Sequence, residues 1–203
     1  LVNAAKRPSL EYYKNNCIAF FIPAAFTAQA ILEKDAFQFS ATDLHADYRF
    51  LQNFFKFEFA YDLDQTPEFK VRKSIKAFID DAILMPHQTI PDTYNVTSSG
   101  FRKLRLFSIF LKTYFESYWI VLSFLQNNAK KSVKNKDRLK KILSSGNRMY
   151  KRHEIVLPEA LSKVSFQNAI DYFTSKGIKG SDDSEKIEFY TEAIQKSLKT
   201  LQN

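Results

Sequence analysis

A chain of 203 residues with 20 Phe and 10 Tyr has material for a real core, while 4 Gly and 6 Pro leave little for tight turns. That balance predicts long helices and few hairpins, and the single Cys17 excludes an internal disulfide framework and fits a reducing compartment. The net charge of +8 is uneven: residues 127–153 hold ten Lys/Arg against one acid, Asp137, whereas residues 1–100 hold ten Lys/Arg and twelve Asp/Glu.

The chain begins LVNAAKRPS, with neither an initiator Met nor a basic-then-apolar signal peptide, and reads as a piece of something larger. Leu10–Leu32 is the first helical candidate, capped by Ser9, and from Cys17 to Leu32 it carries no charge. Sixteen such residues fall short of the roughly 18–20 needed to span a bilayer. A buried core helix and a helix lying in a membrane interface, anchored by Tyr12, Tyr13 and Lys14, both fit the pattern. Pro23 is expected to kink this helix or end a first segment near Ile22.

A second helix is expected from Asp43 or Asp47 to Tyr61, with Leu44, Tyr48, Leu51, Phe54, Phe55 and Phe59 inward. Glu68–Leu84 forms a third, capped by Thr66 with Pro67 in its first turn, and Phe69, Ile75, Phe78, Ile79 and Ile83 carry its stripe. Met85–Gly100, rich in Pro, Thr, Ser and Asn, reads as a loop.

Phe101–Leu125 then reads as the helix around which the chain is organised. Leu104, Phe107, Leu111, Tyr114, Phe115, Tyr118, Leu122 and Leu125 recur at helical spacing, and Lys112 with Glu116 marks one narrow polar edge. A basic helix from about Lys134 to Ser144 follows, interrupted by Gly146 and Asn147. Tyr150–Leu157 reads as extended, and Pro158 with Glu159 begins a short helix. Ser165 caps Phe166–Ser175, Gly177 stops it, and Ser181–Leu201 closes the chain with Ile187, Tyr190, Ile194, Leu198 and Leu201 on one face. The expected fold is all-α: one helical region, an irregular bundle around the long central helix with no substantial sheet and loops near 62–67, 85–100 and 145–157.

Chemistry-bearing residues are few. His45, His87 and His153 are the only histidines, and neither their spacing nor Cys17 forms a common zinc pattern. The chain has no P-loop, GxGxxG or GxSxG, so no cofactor is expected. The basic stretch lacks a recognisable nucleic-acid module, and no nucleic-acid partner is expected. It reads either as a solvated helix face or as a surface for phosphate, an anionic membrane or an acidic partner, with Lys130, Lys131, Lys134, Arg148, Lys151 and Arg152 as its contacts. His87 and Asp92 match the His-x4-Asp spacing of glycerolipid acyltransferases, where the His takes a proton from an attacking alcohol. Here the pair stands in a Pro/Thr-rich loop with no Phe-Pro-Glu-Gly-like block downstream, and reads as a decoy.

Several blocks in a fixed order do resemble one family. Tyr12-Tyr13-Lys14-Asn15-Asn16 running to Ala24-Ala25-Phe26, Phe54 to Phe59 around Glu58, and Phe115-Glu116-Ser117-Tyr118 are similar to segments of bacterial-type, membrane-bound glycerol-3-phosphate 1-O-acyltransferases. So are Arg148 to Ile155, including Tyr150, then Leu157-Pro158-Glu159-Ala160-Leu161-Ser162-Lys163, and finally Asn168-Ala169 with Tyr172-Phe173. Two departures stand out: His153 occupies a position where the family usually has Gly, and Pro23 precedes the place of its usual Pro-Ser.

The resemblance implies the C-terminal helical region of such an enzyme, downstream of its catalytic α/β domain, and not catalytic alone. It implies the upstream acyltransferase domain of the same polypeptide, an anionic membrane surface, and acyl-CoA or acyl-ACP as partners. The implied location is the cytoplasmic face of the inner membrane, peripheral or monotopic, with no transmembrane span in this chain. Tyr12, Asn15, Asn16, Glu58, Glu116, Tyr118, Tyr150 and Glu159 fall in the matched blocks without an assigned chemical step. A stand-alone helical scaffold that binds membrane or protein is the alternative.

Overall fold

The computed structural model describes residues 7–61, 64–127, 135–178 and 183–202, in two compact units, Leu1–Ser108 and Ile109–Asn203. The first unit begins with α1 (Arg7–Glu33), which runs through Pro23 without ending. Pro23 supplies no N–H to the Ala19 carbonyl. Burial of Ile22 and of every residue from Ala25 to Leu32 keeps the helix together across that gap. The charge-free stretch from Ala25 to Leu32 is buried all round, so this half of α1 is the centre of the unit.

Ser40 starts α2 (Ala41–Phe54) through a capping box with Asp43. Leu44, Tyr48, Leu51 and Phe54 are buried, as are Phe55 and Phe59 just beyond the helix end. The Phe26 ring of α1 meets Tyr48 edge-on at 5.7 Å and stacks on Phe55 at 6.1 Å. Thr66 caps α3 (Pro67–Asp80), its hydroxyl accepting from the Phe69 amide. Val71, Ile75 and Phe78 face the core, but Phe69, expected to do so, is 53% exposed. The helix stops at Asp80 because Ala82 turns left-handed (φ 53°) and Ile83 donates its amide back to Phe78 O.

The stretch expected to be a loop forms two strands. β2 (Leu84–Pro86) and β1 (Gln38–Ser40) flank β3 (Thr93–Val96), all antiparallel, with Phe39 opposite Tyr94 and Leu84 opposite Val96. The fold is therefore a helical bundle with a minor three-stranded sheet, not all-α. Strands of three or four residues are too short to show a period of two, and β1 lies more than fifty residues from its partner. The first unit ends with α4 (Gly100–Ser108), whose Leu104 and Ser108 are buried.

The expected central helix is not one helix. Its second half, α5 (Leu111–Asn127), belongs to the second unit, and a turn at Ile109–Phe110 separates it from α4. Neither Gly nor Pro marks the break, and the apolar spacing continues through it, so periodicity cannot reveal it. The organising role is divided: α1 is the core of one unit and α5 of the other.

Around α5 are α6 (Asn135–Lys151), α7 (Lys163–Ser175) and α8 (Ser184–Thr200). Gly146, expected to interrupt the basic helix, lies inside α6; a Cβ there would fall 2.7 Å from Leu161 Cδ2 and 3.2 Å from Ile120. Its small size permits close approach rather than a turn. Ser162, not Ser165, caps α7, accepting from the Ser165 amide. Gly177 (φ 79°) ends α7, with Ile178 N–H bonded to Phe173 O. Tyr118, Tyr172, Phe173 and Tyr190 form a buried aromatic cluster in which the Tyr172 and Tyr190 hydroxyls are 3.2 Å apart.

Candidate functional site

Glu116, expected on a polar edge of its helix, is 2% exposed. Its carboxylate accepts from the amides of Val156 (3.1 Å) and Leu157 (2.9 Å), two residues whose N–H groups join no helix or strand. Next to it, the Ser117 hydroxyl lies 2.7 Å from the Ala160 carbonyl, within donating distance, and 3.0 Å from that of Thr113. The pair pins the extended residues 155–157 and the 3-10 turn Pro158–Ala160 against α5. Burial pushes the Glu116 carboxyl above its ordinary value. The Leu157 and Val156 amides and Lys112 pull it back, and Glu159 adds to the upward push. A carboxylate wholly engaged by backbone amides holds structure together.

The same segment begins with a tight turn at His153, which adopts φ 58°. Glu154 N–H reaches back to Met149 O at 3.0 Å and His153 N–H to Tyr150 O at 3.1 Å, closing α6. The turn that a Gly would favour is thus present with a His in it.

His87 and Asp92 go to different partners. His87 Nδ1 accepts from the backbone amides of Ile90 (3.0 Å) and Thr89 (3.2 Å), closing the turn that follows β2. The Asp92 carboxylate meets Arg72 at 3.4 Å and accepts from Thr42 at 3.3 Å. A general base of this kind needs its partner carboxylate on one ring nitrogen; here Nδ1 accepts from backbone amides and the Asp92 carboxylate goes to Arg72 and Thr42.

Of the basic residues singled out, Lys130, Lys131 and Lys134 lie outside the described residues. Arg148, Lys151 and Arg152 are exposed near the end of α6, where positive charge suits the helix C-terminus, and Arg152 pairs with Glu154 at 3.8 Å. Tyr12, Asn15 and Asn16 fall in the first half of α1, and their side-chain surroundings lie outside the described residues. Glu58 is half-buried in the turn after α2, Tyr118 is in the aromatic cluster, and Tyr150 and Glu159 are exposed.

One feature of the first unit went unread in the sequence: a pocket of about 330 Å³ at Pro23. Phe20, Ile22 and Pro23 of α1, Tyr61, and Lys70 and Lys73 of α3 are among its lining residues. Lys70 is 4% exposed, an unusual burial for a lysine. The sequence signal at this place is Pro23 within a charge-free stretch, where a kink or a helix end is expected.

Among the described residues no helix is long and apolar enough to cross a membrane. The geometry defines a two-unit helical module in which a buried carboxylate and hydroxyl fix the backbone. Residues 1–182 match the family described as glycerol-3-phosphate acyltransferase C-terminal region, and the chain belongs to that family. It is the C-terminal region of such an enzyme. Comparison with curated proteins gives no significant match.

Proposed function

We propose that this chain acts as the helical partner of an upstream acyltransferase domain in the same polypeptide, in an enzyme that moves a fatty acyl group from acyl-CoA or acyl-ACP to the sn-1 hydroxyl of glycerol 3-phosphate. The match over residues 1–182 carries the reading. The Glu116–Ser117 pair supports it, because its polar groups hold the segment 155–160. The module rests at the cytoplasmic face of a membrane as a peripheral element, with the exposed cations at the end of α6 towards anionic head groups, each contributing about 1 kcal/mol.

The test is acyl transfer from a long-chain acyl thioester to glycerol 3-phosphate, assayed with this chain alone beside flotation on anionic vesicles. No turnover together with flotation is the expected result. Turnover that His87→Ala abolishes would overturn the reading, and absence of flotation would remove its membrane half.

A further inference from the structure

The pocket at Pro23 takes no part in the clamp around Glu116 or in the basic end of α6. Its volume of about 330 Å³ falls at the lower end of the ~300–1,000 Å³ usual for small-molecule sites. The lining is two-sided in chemistry. Phe20, Ile22 and Pro23 present apolar surface, and Phe20 is 84% exposed, with its neighbour Phe21 at 55%. Solvent-exposed aromatic rings beside a cavity leave apolar area for a ligand to cover.

The charged part is cationic. Lys70 and Lys73, three residues apart on α3, both line the pocket, and Lys73 is the one whose side chain is exposed. Lys73 is exposed and has no ion pair among the described residues, while the nearby acid Glu68 is engaged by Arg49.

We propose that this pocket binds an anionic amphiphile, its phosphate-like head at Lys73 and its apolar tail along Phe20, Ile22 and Pro23. The site is separate from the basic stretch 127–153 and stands whether or not that stretch meets a membrane.

The experiment is isothermal titration of the full chain with monomeric dodecyl phosphate and, separately, inorganic phosphate, beside flotation on phosphatidylcholine vesicles containing phosphatidic acid. Dodecyl phosphate is expected to bind one-to-one and much more tightly than inorganic phosphate. Lys73→Glu weakens it at least tenfold, and Lys73→Arg restores it. Phe20→Ser weakens dodecyl phosphate and leaves inorganic phosphate unchanged. Both positions are exposed, so the variants keep the wild-type melting temperature. If Lys73→Glu also reduces flotation, the head group belongs to a bilayer lipid. If flotation is unchanged, the ligand is a free amphiphile, and either result upholds the site. Undetectable dodecyl phosphate binding, binding indifferent to Lys73→Glu, or no gain from the alkyl chain would overturn it.

Discussion

The Leu157 amide lies 2.9 Å from a carboxylate oxygen of Glu116, 41 positions earlier in the chain. With the Val156 amide on the other oxygen, one side chain satisfies two backbone donors that precede Pro158. Hydrogen bonds to a charged acceptor are stronger than neutral ones, and losing this acceptor leaves both donors short of a partner. Glu116→Ala is therefore expected to destabilise the protein by about 2–4 kcal/mol, measured by urea denaturation.

Its burial also gives stability a pH signature. Glu116 titrates above an ordinary carboxyl when folded, so the native state holds more protons than the unfolded state between those two values. Linkage then makes this residue's contribution fall as pH rises from the ordinary carboxyl value through the raised one. Across that window the wild type should lose stability relative to Glu116→Gln, whose side chain does not titrate. Parallel slopes for the two proteins would show that burial does not perturb this carboxyl.

At His153 a left-handed backbone carries a non-glycine side chain (φ 58°). Removing the Cβ strain should outweigh the extra freedom of the unfolded chain, so His153→Gly is expected to stabilise by roughly 0.5–1 kcal/mol. A rise in melting temperature checks it; His153→Val should move it down.

Gly100 shows the opposite constraint. A Cβ there would stand 2.4 Å from the Ile83 carbonyl oxygen and 2.9 Å from Val96 Cγ1, where β2 and β3 meet the start of α4. Backbone cannot yield as a flexible side chain can, so Gly100→Ala should cost about 1–3 kcal/mol despite alanine's better helix propensity. Gly146→Ala, whose nearest obstacle is the end of the Leu161 side chain, should cost less.

Phe115 is 1% exposed and Phe107 half-buried, although both belong to the same sequence stripe. Phe115→Ala should cost about 3–5 kcal/mol and Phe107→Ala clearly less, read from denaturation midpoints. Equal losses would argue against a chain broken at Ile109–Phe110.

Much of this protein was legible because helices advertise themselves locally. The stripes Leu44–Tyr48–Leu51 and Ile187–Tyr190–Ile194 are buried as their spacing predicts, Thr66–Pro67 begins α3, and Gly177 ends α7. The ordered blocks, from Tyr12 to Phe173, pointed to the family to which the chain belongs. These signals lie within one element or in residue order, so they survive without coordinates.

What the sequence by itself determined is therefore a helical, Phe-rich chain of that family. Tertiary structure alone decided that Pro23 stays inside α1, that one apolar stripe is shared between two units, and that Gly146 serves close packing. It also decided that Glu116 faces inward, and that Lys70 and Lys73 border a pocket with Phe20. Each of these depends on a partner tens of residues away, whose presence changes the free energy of a local conformation by more than propensity differences of a fraction of a kcal/mol do.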